Sequence, residues 1–149
     1  MSQPVVLDTN VISEPVKPHP DLNVIDYLRQ VSNRSYITSV VLGEIYLGVE
    51  ILPEGRRKQN LRIHADSVRD AYRNRTIPFT GEMAEHYAVS VAHLKRQGIA
   101  IKVNDAYIAA AAATHGAILC TRNLKDFQHY PDLQMQDPWN PSVRTSDQL

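Results

Sequence analysis

The sequence is short of cysteine, of net charge and of long apolar runs, and each shortage removes a class of protein. A single cysteine, Cys120, excludes an internal disulfide framework and any cysteine-built zinc centre. It closes the apolar stretch Ala117-Ile118-Leu119, where it reads as a buried strand residue. The longest apolar run, Ala106 to Ala113, is far below the ~18 residues a membrane span needs. The opening Met1-Ser2-Gln3-Pro4 and the short apolar run behind it lack a signal-peptide layout, so a soluble, cytoplasmic protein is expected. Lysine plus arginine and aspartate plus glutamate each number 16, so any nucleic-acid contact must come from a local patch.

Several chemical templates are also missing. There is no G-x-G-x-x-G fingerprint and no G-x-S-x-G elbow. Gly43 and Gly48 have P-loop spacing, but Val49-Glu50 follow where Lys and Ser or Thr are required. Position 10, an acid in phosphatases of the Asp-x-Asp type, is Asn10. The histidines at 19, 64, 86, 93, 115 and 129 form no H-x-x-x-H pair, which argues against zinc.

What is present is an ordinary globular chain of 149 residues, 43% apolar and 21% charged, of single-domain length. A chain of this size buries roughly 68–70% of its unfolded surface and needs no covalent staple. No repeat or linker divides it, so a domain over 1–140 and a loose polar tail over 141–149 are expected. Val5-Val6-Leu7, Ser35-Tyr36-Ile37-Thr38 and Ala117-Ile118-Leu119-Cys120 read as short buried strands, with an edge strand over 133–136. Thr76-Ile77-Pro78-Phe79 reads as a brief extended piece, and three prolines make 14–20 a loop.

Helices are expected over 21–33 under an Asp21 cap, with Leu22, Ile25 and Leu28 on one face, and over 39–52 under a Ser39 cap. Further helices are expected over 54–75, over 82–97 ended by Gly98, and over 105–115 capped by Asn104 and closed by Gly116. Short apolar strands alternating with helices predict an α/β fold: a central, mostly parallel sheet covered on both faces. In such sheets reactive groups collect at the carboxyl ends of the strands, where Asp8 and Thr121 fall.

Three acids stand out, each with a structural alternative. Asp8 follows the first strand directly, and also suits an N-cap for the turn 10–14. Glu44 shares helical spacing with Val40, Leu47 and Ile51; on an apolar face it must be paired, protonated or metal-bound. Pairing with a distant arginine on a half-buried face is the alternative. Asp105 opens its helix, where the macrodipole favours any acid, yet it lies on the stripe of Ile108, Ala109 and Ala112. Asn123 and Asp126 add oxygen donors beyond the third strand, or serve the turn there. Oxygen donors of this kind suit Mg²⁺ or Mn²⁺, which clamp phosphodiester oxygens and acidify water. Over 54–75, seven basic residues (among them Arg56, Arg57, Lys58 and Arg62) face three acids, fitting an RNA contact, an acidic partner segment or a solvated mixed-charge face.

Four ordered motifs then carry a resemblance over nearly the whole chain. Leu7-Asp8-Thr9-Asn10-Val11-Ile12-Ser13-Glu14, Ser39-Val40-Val41-Leu42-Gly43-Glu44-Ile45-Tyr46-Leu47-Gly48-Val49, Asn104-Asp105-Ala106-Tyr107-Ile108-Ala109-Ala110 and Thr121-Arg122-Asn123 resemble the PIN-domain ribonucleases. The likeness is to the VapC/FitB toxins of bacterial toxin–antitoxin pairs, known also as plasmid stability proteins. Pro138-Trp139-Asn140-Pro141 looks like the FitB-type ending.

The resemblance implies a PIN-like three-layer α/β/α fold and a Mg²⁺- or Mn²⁺-dependent endoribonuclease. It places Asp8, Glu44 and Asp105 on the acidic metal positions, with Asn10 and Thr121 orienting the carboxylates. The fourth acid of many members falls at Asn123, with Asp126 as a nearby substitute, which leaves the number of metals open. It further implies a homodimer, a small antitoxin partner, operator DNA met only through that antitoxin, and transfer RNA as a family-level substrate. Because Asn123 departs from the pattern, a second reading is a PIN-fold binding module with weak or no nuclease activity, working mainly in an antitoxin–DNA regulatory complex.

Overall fold

In a computed structural model that describes residues 2–141, five parallel strands form one sheet in the order β3-β2-β1-β4-β5. The strands are β1 (Val5–Leu7), β2 (Ser35–Thr38), β3 (Thr76–Ile77), β4 (Ile118–Cys120) and β5 (Gln134–Gln136). β1 pairs with β2 through Val5–Ser35 and with β4 through Val5–Ile118. Val5, Val6, Leu7 and Leu119 have no exposed surface, because helices cover both faces as an all-parallel sheet requires. The three-layer α/β/α arrangement therefore holds, and residues 142–149 of the expected tail lie outside the described residues.

The helices among the described residues are α1 (Thr9–Ile12), α2 (Leu22–Gln30), α3 (Ser39–Glu50), α4 (Arg56–Ala71), α5 (Gly81–Arg96), α6 (Val103–Thr114) and α7 (Leu124–Phe127). Gly98 (φ +74) and Gly116 (φ +59) end α5 and α6 as the sequence predicts. Both ends are Schellman motifs: the Ile99 and Ala117 amides donate to the Leu94 and Ala112 carbonyls, each at 2.9 Å. Among the described residues no helix is long and apolar enough to cross a membrane.

Four local expectations need correction. The cap of α3 is Thr38, whose hydroxyl accepts from the Val41 amide at 3.0 Å, so Ser39 is already helical. Asn104 is likewise inside α6, whose N-cap is Lys102. On α2, Leu22 is 80% exposed and Val24 makes the buried contact. Residues 14–20 are not wholly irregular, since Glu14–Val16 forms a 3-10 turn. Here the buried Glu14 carboxylate accepts from the Asp21 amide at 2.8 Å and pairs with Lys17 at 3.1 Å.

The inward stripe of α3 also differs from the expected one. It is Val41, Ile45 and Val49, whereas Leu47 and Ile51 are 60% and 73% exposed. The exposed apolar residues there are therefore Leu47 on α3 and its C-cap Ile51, and Tyr46 is tied to Asp66 by a 2.6 Å hydrogen bond.

Candidate active site

The strand order reverses at β1: the chain builds outward through β2 and β3, then returns to the other side with β4 and β5. The crevice beyond the carboxyl ends of β1 and β4 is a topological switch point, where open α/β sheets hold their ligands. Asp8 leaves β1 at that point and Thr121 leaves β4. Both are buried, Asp8 at 6% exposure.

Asp8 is held from two sides. Its Oδ1 accepts from the Thr9 amide at 2.8 Å, which is the N-cap of α1, and its Oδ2 accepts from the Thr121 hydroxyl at 2.8 Å. Capping and site roles coincide in one carboxylate. Burial still pushes its pKa up against both hydrogen bonds, aided by the negative charges of Glu44 and Asp126.

Glu44 points to the same crevice from α3. Its Oε1 accepts from the Thr9 hydroxyl at 2.5 Å and its Oε2 from the Asn104 amide group at 3.3 Å. Those neutral donors, not an arginine, are its partners among the described residues. The half-buried Asp105 approaches from the first turn of α6. Burial pushes its pKa up to about 6, with Asp8, Asp126 and Glu44 adding repulsion and Lys102 opposing it. The structure thus brings Asp8, Glu44 and Asp105 into one electrostatic cluster, with exposed Asp126 of α7 at its edge.

The remaining sequence candidates divide. Thr121 touches the Asp8 carboxylate, and its oxygen also receives the Asn123 amide at 3.1 Å. Asn10 instead accepts from the Arg122 amide at 3.3 Å, tying α1 to the turn after β4. Asn123 is exposed and opens α7 without a side-chain cap bond. Lys58 pairs with Glu54 at 2.9 Å and Arg62 with Glu50 at 2.6 Å, while Arg56 and Arg57 line a groove of about 820 Å³. Glu44, Ile45, Val49 and His64 line it too, so the groove opens beside the acids. Sequence reasoning missed Thr9 and Asn104. Their signal was present, since each is directly beside a singled-out acid.

The donor set is all oxygen and negative, so it suits a hard divalent cation. Among the described residues no three His, Cys, Asp or Glu side chains form a group that could hold an ion as they stand. A Mg²⁺ ion keeps several waters, so it would be held by some of these carboxylates directly and by the others through water.

Comparison with known proteins agrees with this geometry. The chain is 33% identical over 138 residues to Toxin FitB of Neisseria gonorrhoeae, covering 91% of this chain and 99% of that protein. It is 33% identical over 140 residues to the VapC ribonuclease Y4jK of Sinorhizobium fredii, covering 93% and 99%. The solved structure of FitAB bound to an IR36 DNA fragment matches with a TM-score of 0.83 at 33% identity, over 91% of this chain and 95% of that one. The family profile described as PIN domain matches residues 5–133, from the first strand almost to the last, and the chain belongs to that family.

Proposed function

We propose that the protein is the endoribonuclease toxin of a bacterial toxin–antitoxin pair, cutting RNA with Mg²⁺ or Mn²⁺ held at Asp8, Glu44 and Asp105. The observation that carries the reading is that Asp8, Glu44 and Asp105 lie close enough at the switch point to repel one another, with only neutral donors on Asp8 and Glu44. Asp8 and Asp105 are the primary metal-holding groups, Glu44 completes the set, and Asn123 or Asp126 offers a further oxygen. A divalent ion bound there supplies a Lewis acid for the phosphate oxygens and an acidified water. The chain's own residues do the positioning. Thr121 fixes the Asp8 carboxylate and Thr9 fixes Glu44, so these two acids are set before substrate arrives.

The names of the relatives support the rest of the proposal: one is a toxin, another a ribonuclease, and the structural match was solved as FitAB on DNA. The partner is a small antitoxin, and operator DNA is reached through it. The groove beside Glu44, with apolar walls at Ile45 and Val49 and the Arg56 and Arg57 cations, suits a protein segment. The protein acts as a homodimer, and transfer RNA is the first substrate to test.

Induced expression with and without the neighbouring small gene tests the reading. Growth arrest relieved by co-expression, and RNA ends that appear only in Mg²⁺ or Mn²⁺ and vanish in chelator, are expected. Harmless accumulation of folded protein that cuts no RNA overturns it in favour of the binding-module reading, which the exposed Asn123 would then explain.

A further inference from the structure

Asp105 also lines a second cleft of about 380 Å³, which shares no lining residue with Glu44's groove. Asp105 and Asp126 form one wall, so it is continuous with the acidic cluster. Its floor is apolar, made by Leu94, Ile99 and Ile101 where α5 turns towards α6. Three basic side chains ring it: Lys102, Lys125 and His129, all exposed. Neither lysine is closed into an ion pair among the described residues, although the Lys102 charge is felt at Asp105.

This composition is unlike the rest of the crevice. The acids alone repel a phosphodiester, so a strand crossing them needs cations at the edge. Lys102 and Lys125 supply them from two different elements, the α6 cap and the first turn of α7. The volume falls at the low end of the range for small-ligand pockets, which fits one nucleotide and not a folded segment. An apolar lining beside two cations offers contacts to the two parts of a nucleotide, the base and the phosphate.

We propose that this cleft seats one nucleotide of the RNA, its base against Ile99 and Ile101 and its phosphate between Lys102 and Lys125, so that the neighbouring phosphate lies over the acids. The assignment rests on the ribonuclease reading and adds the residues that choose the cut position. It also moves the RNA contact away from Arg62 and Lys58, which are already paired with Glu50 and Glu54.

The test uses the full-length protein and a short fluorescein-labelled RNA of mixed sequence, with chelator present so that binding is read without cleavage. Anisotropy titrations from ~50 to ~200 mM KCl give the salt slope for the wild type, for Lys102→Ala/Lys125→Ala, and for Arg73→Ala as a distant control. The double variant is expected to bind more weakly and to lose ~0.7 to ~1.4 from the slope, ~0.7 for each ion pair made with a single strand. Arg73, paired with Asp70 on α4, is expected to leave the slope unchanged. Sequencing of cut ends from a mixed RNA pool, with metal restored, is expected to show a base preference beside the cut that Ile101→Ser relaxes. Thermal melts confirm that each variant is folded.

An unchanged slope in the lysine variant together with an unchanged preference in Ile101→Ser overturns the cleft while leaving the ribonuclease reading intact. A lysine-dependent slope in a protein that cuts nothing supports the nucleotide seat and overturns the ribonuclease reading instead.

Discussion

Replacing Asp105 by asparagine separates a charged site from an ordinary first-turn helix acid. The wild-type carboxyl has its pKa raised from 3.8 to about 6, first by burial and then by Asp8, Asp126 and Glu44. The folded state therefore holds the proton more tightly than the unfolded state does. Stability that is intact below pH ~4 is lost as pH rises through the interval to ~6, and the full penalty remains at neutral pH. A shift of about two pKa units corresponds to ~3 kcal/mol as a ceiling. Asp105 is only half-buried, and solvent screening reduces this to ~1–1.5 kcal/mol. Against it stands the lost interaction with the α6 dipole, ~0.3–1 kcal/mol.

The metal-free Asn variant is thus expected to be as stable as the wild type or more so at pH 7.5, by up to ~1 kcal/mol. For a chain of this length that is ~2–4 °C in Tm. The difference should vanish near pH 4, where the wild-type acid is itself protonated. Divalent metal at ~100 times its Kd should stabilise the wild type by ~2.7 kcal/mol and the variant much less. RNA cleavage should disappear. Differential scanning fluorimetry across pH with and without Mn²⁺, beside a cleavage assay, reads all of these. A variant that is less stable at pH 7.5, still responds to metal and still cuts RNA refutes the reasoning.

Other expectations follow from single contacts. Thr121→Val leaves the buried Asp8 Oδ2 without its 2.8 Å donor, and a loss of ~1–3 kcal/mol is expected in urea unfolding at pH 7, with lowered cleavage. Gly116→Ala places a Cβ at φ +59, in open space but in the left-handed region, for a loss of ~1–2 kcal/mol read by the same unfolding curve. Cys120 is fully buried and its thiol pKa is pushed far up by burial, so native protein should resist a thiol reagent until it unfolds. If the exposed Leu47 and Ile51 of α3 form the contact between two copies, Leu47→Glu/Ile51→Lys should convert the sedimenting species from dimer to monomer with its melting curve at low concentration retained.

The strands were legible because a parallel sheet leaves no choice about which side is inside. Val5-Val6-Leu7 and Ile118-Leu119-Cys120 are apolar throughout, and both faces are in fact covered. Helix ends were legible at Gly98 and Gly116, where a positive φ demands glycine. The caps of α3 and α6 slipped by a residue or more, because Thr38-Ser39 offers two equivalent hydroxyls and Asn104 is a good cap placed where Lys102 does the work with its backbone. The face of α3 was not legible for a different reason. Apolar residues surround nearly the whole helix, so periodicity alone could not choose Val41-Ile45-Val49 over Val40-Leu47-Ile51; packing against α4, α6 and β2 chose it.

The acids could be picked from the chain one at a time, but their meeting depends on β4 inserting beside β1, a long-range choice that no local pattern records. What the fold then does with them is chemically consistent. Each supported carboxylate is oriented by a hydroxyl or an amide, Thr121 and Thr9 on Asp8, Thr9 and Asn104 on Glu44. An arginine in any of these places would orient the acid equally well and cancel its charge, leaving nothing for a divalent ion to neutralise. Neutral donors fix the geometry and keep the field. The nearby cations, Lys102 and Lys125, stand instead along the adjoining cleft, where Lys102 softens the repulsion at Asp105 without closing on it. Held this close without a cation of the chain against them, the acids raise one another's pKa, and the proposed divalent ion would relieve that repulsion.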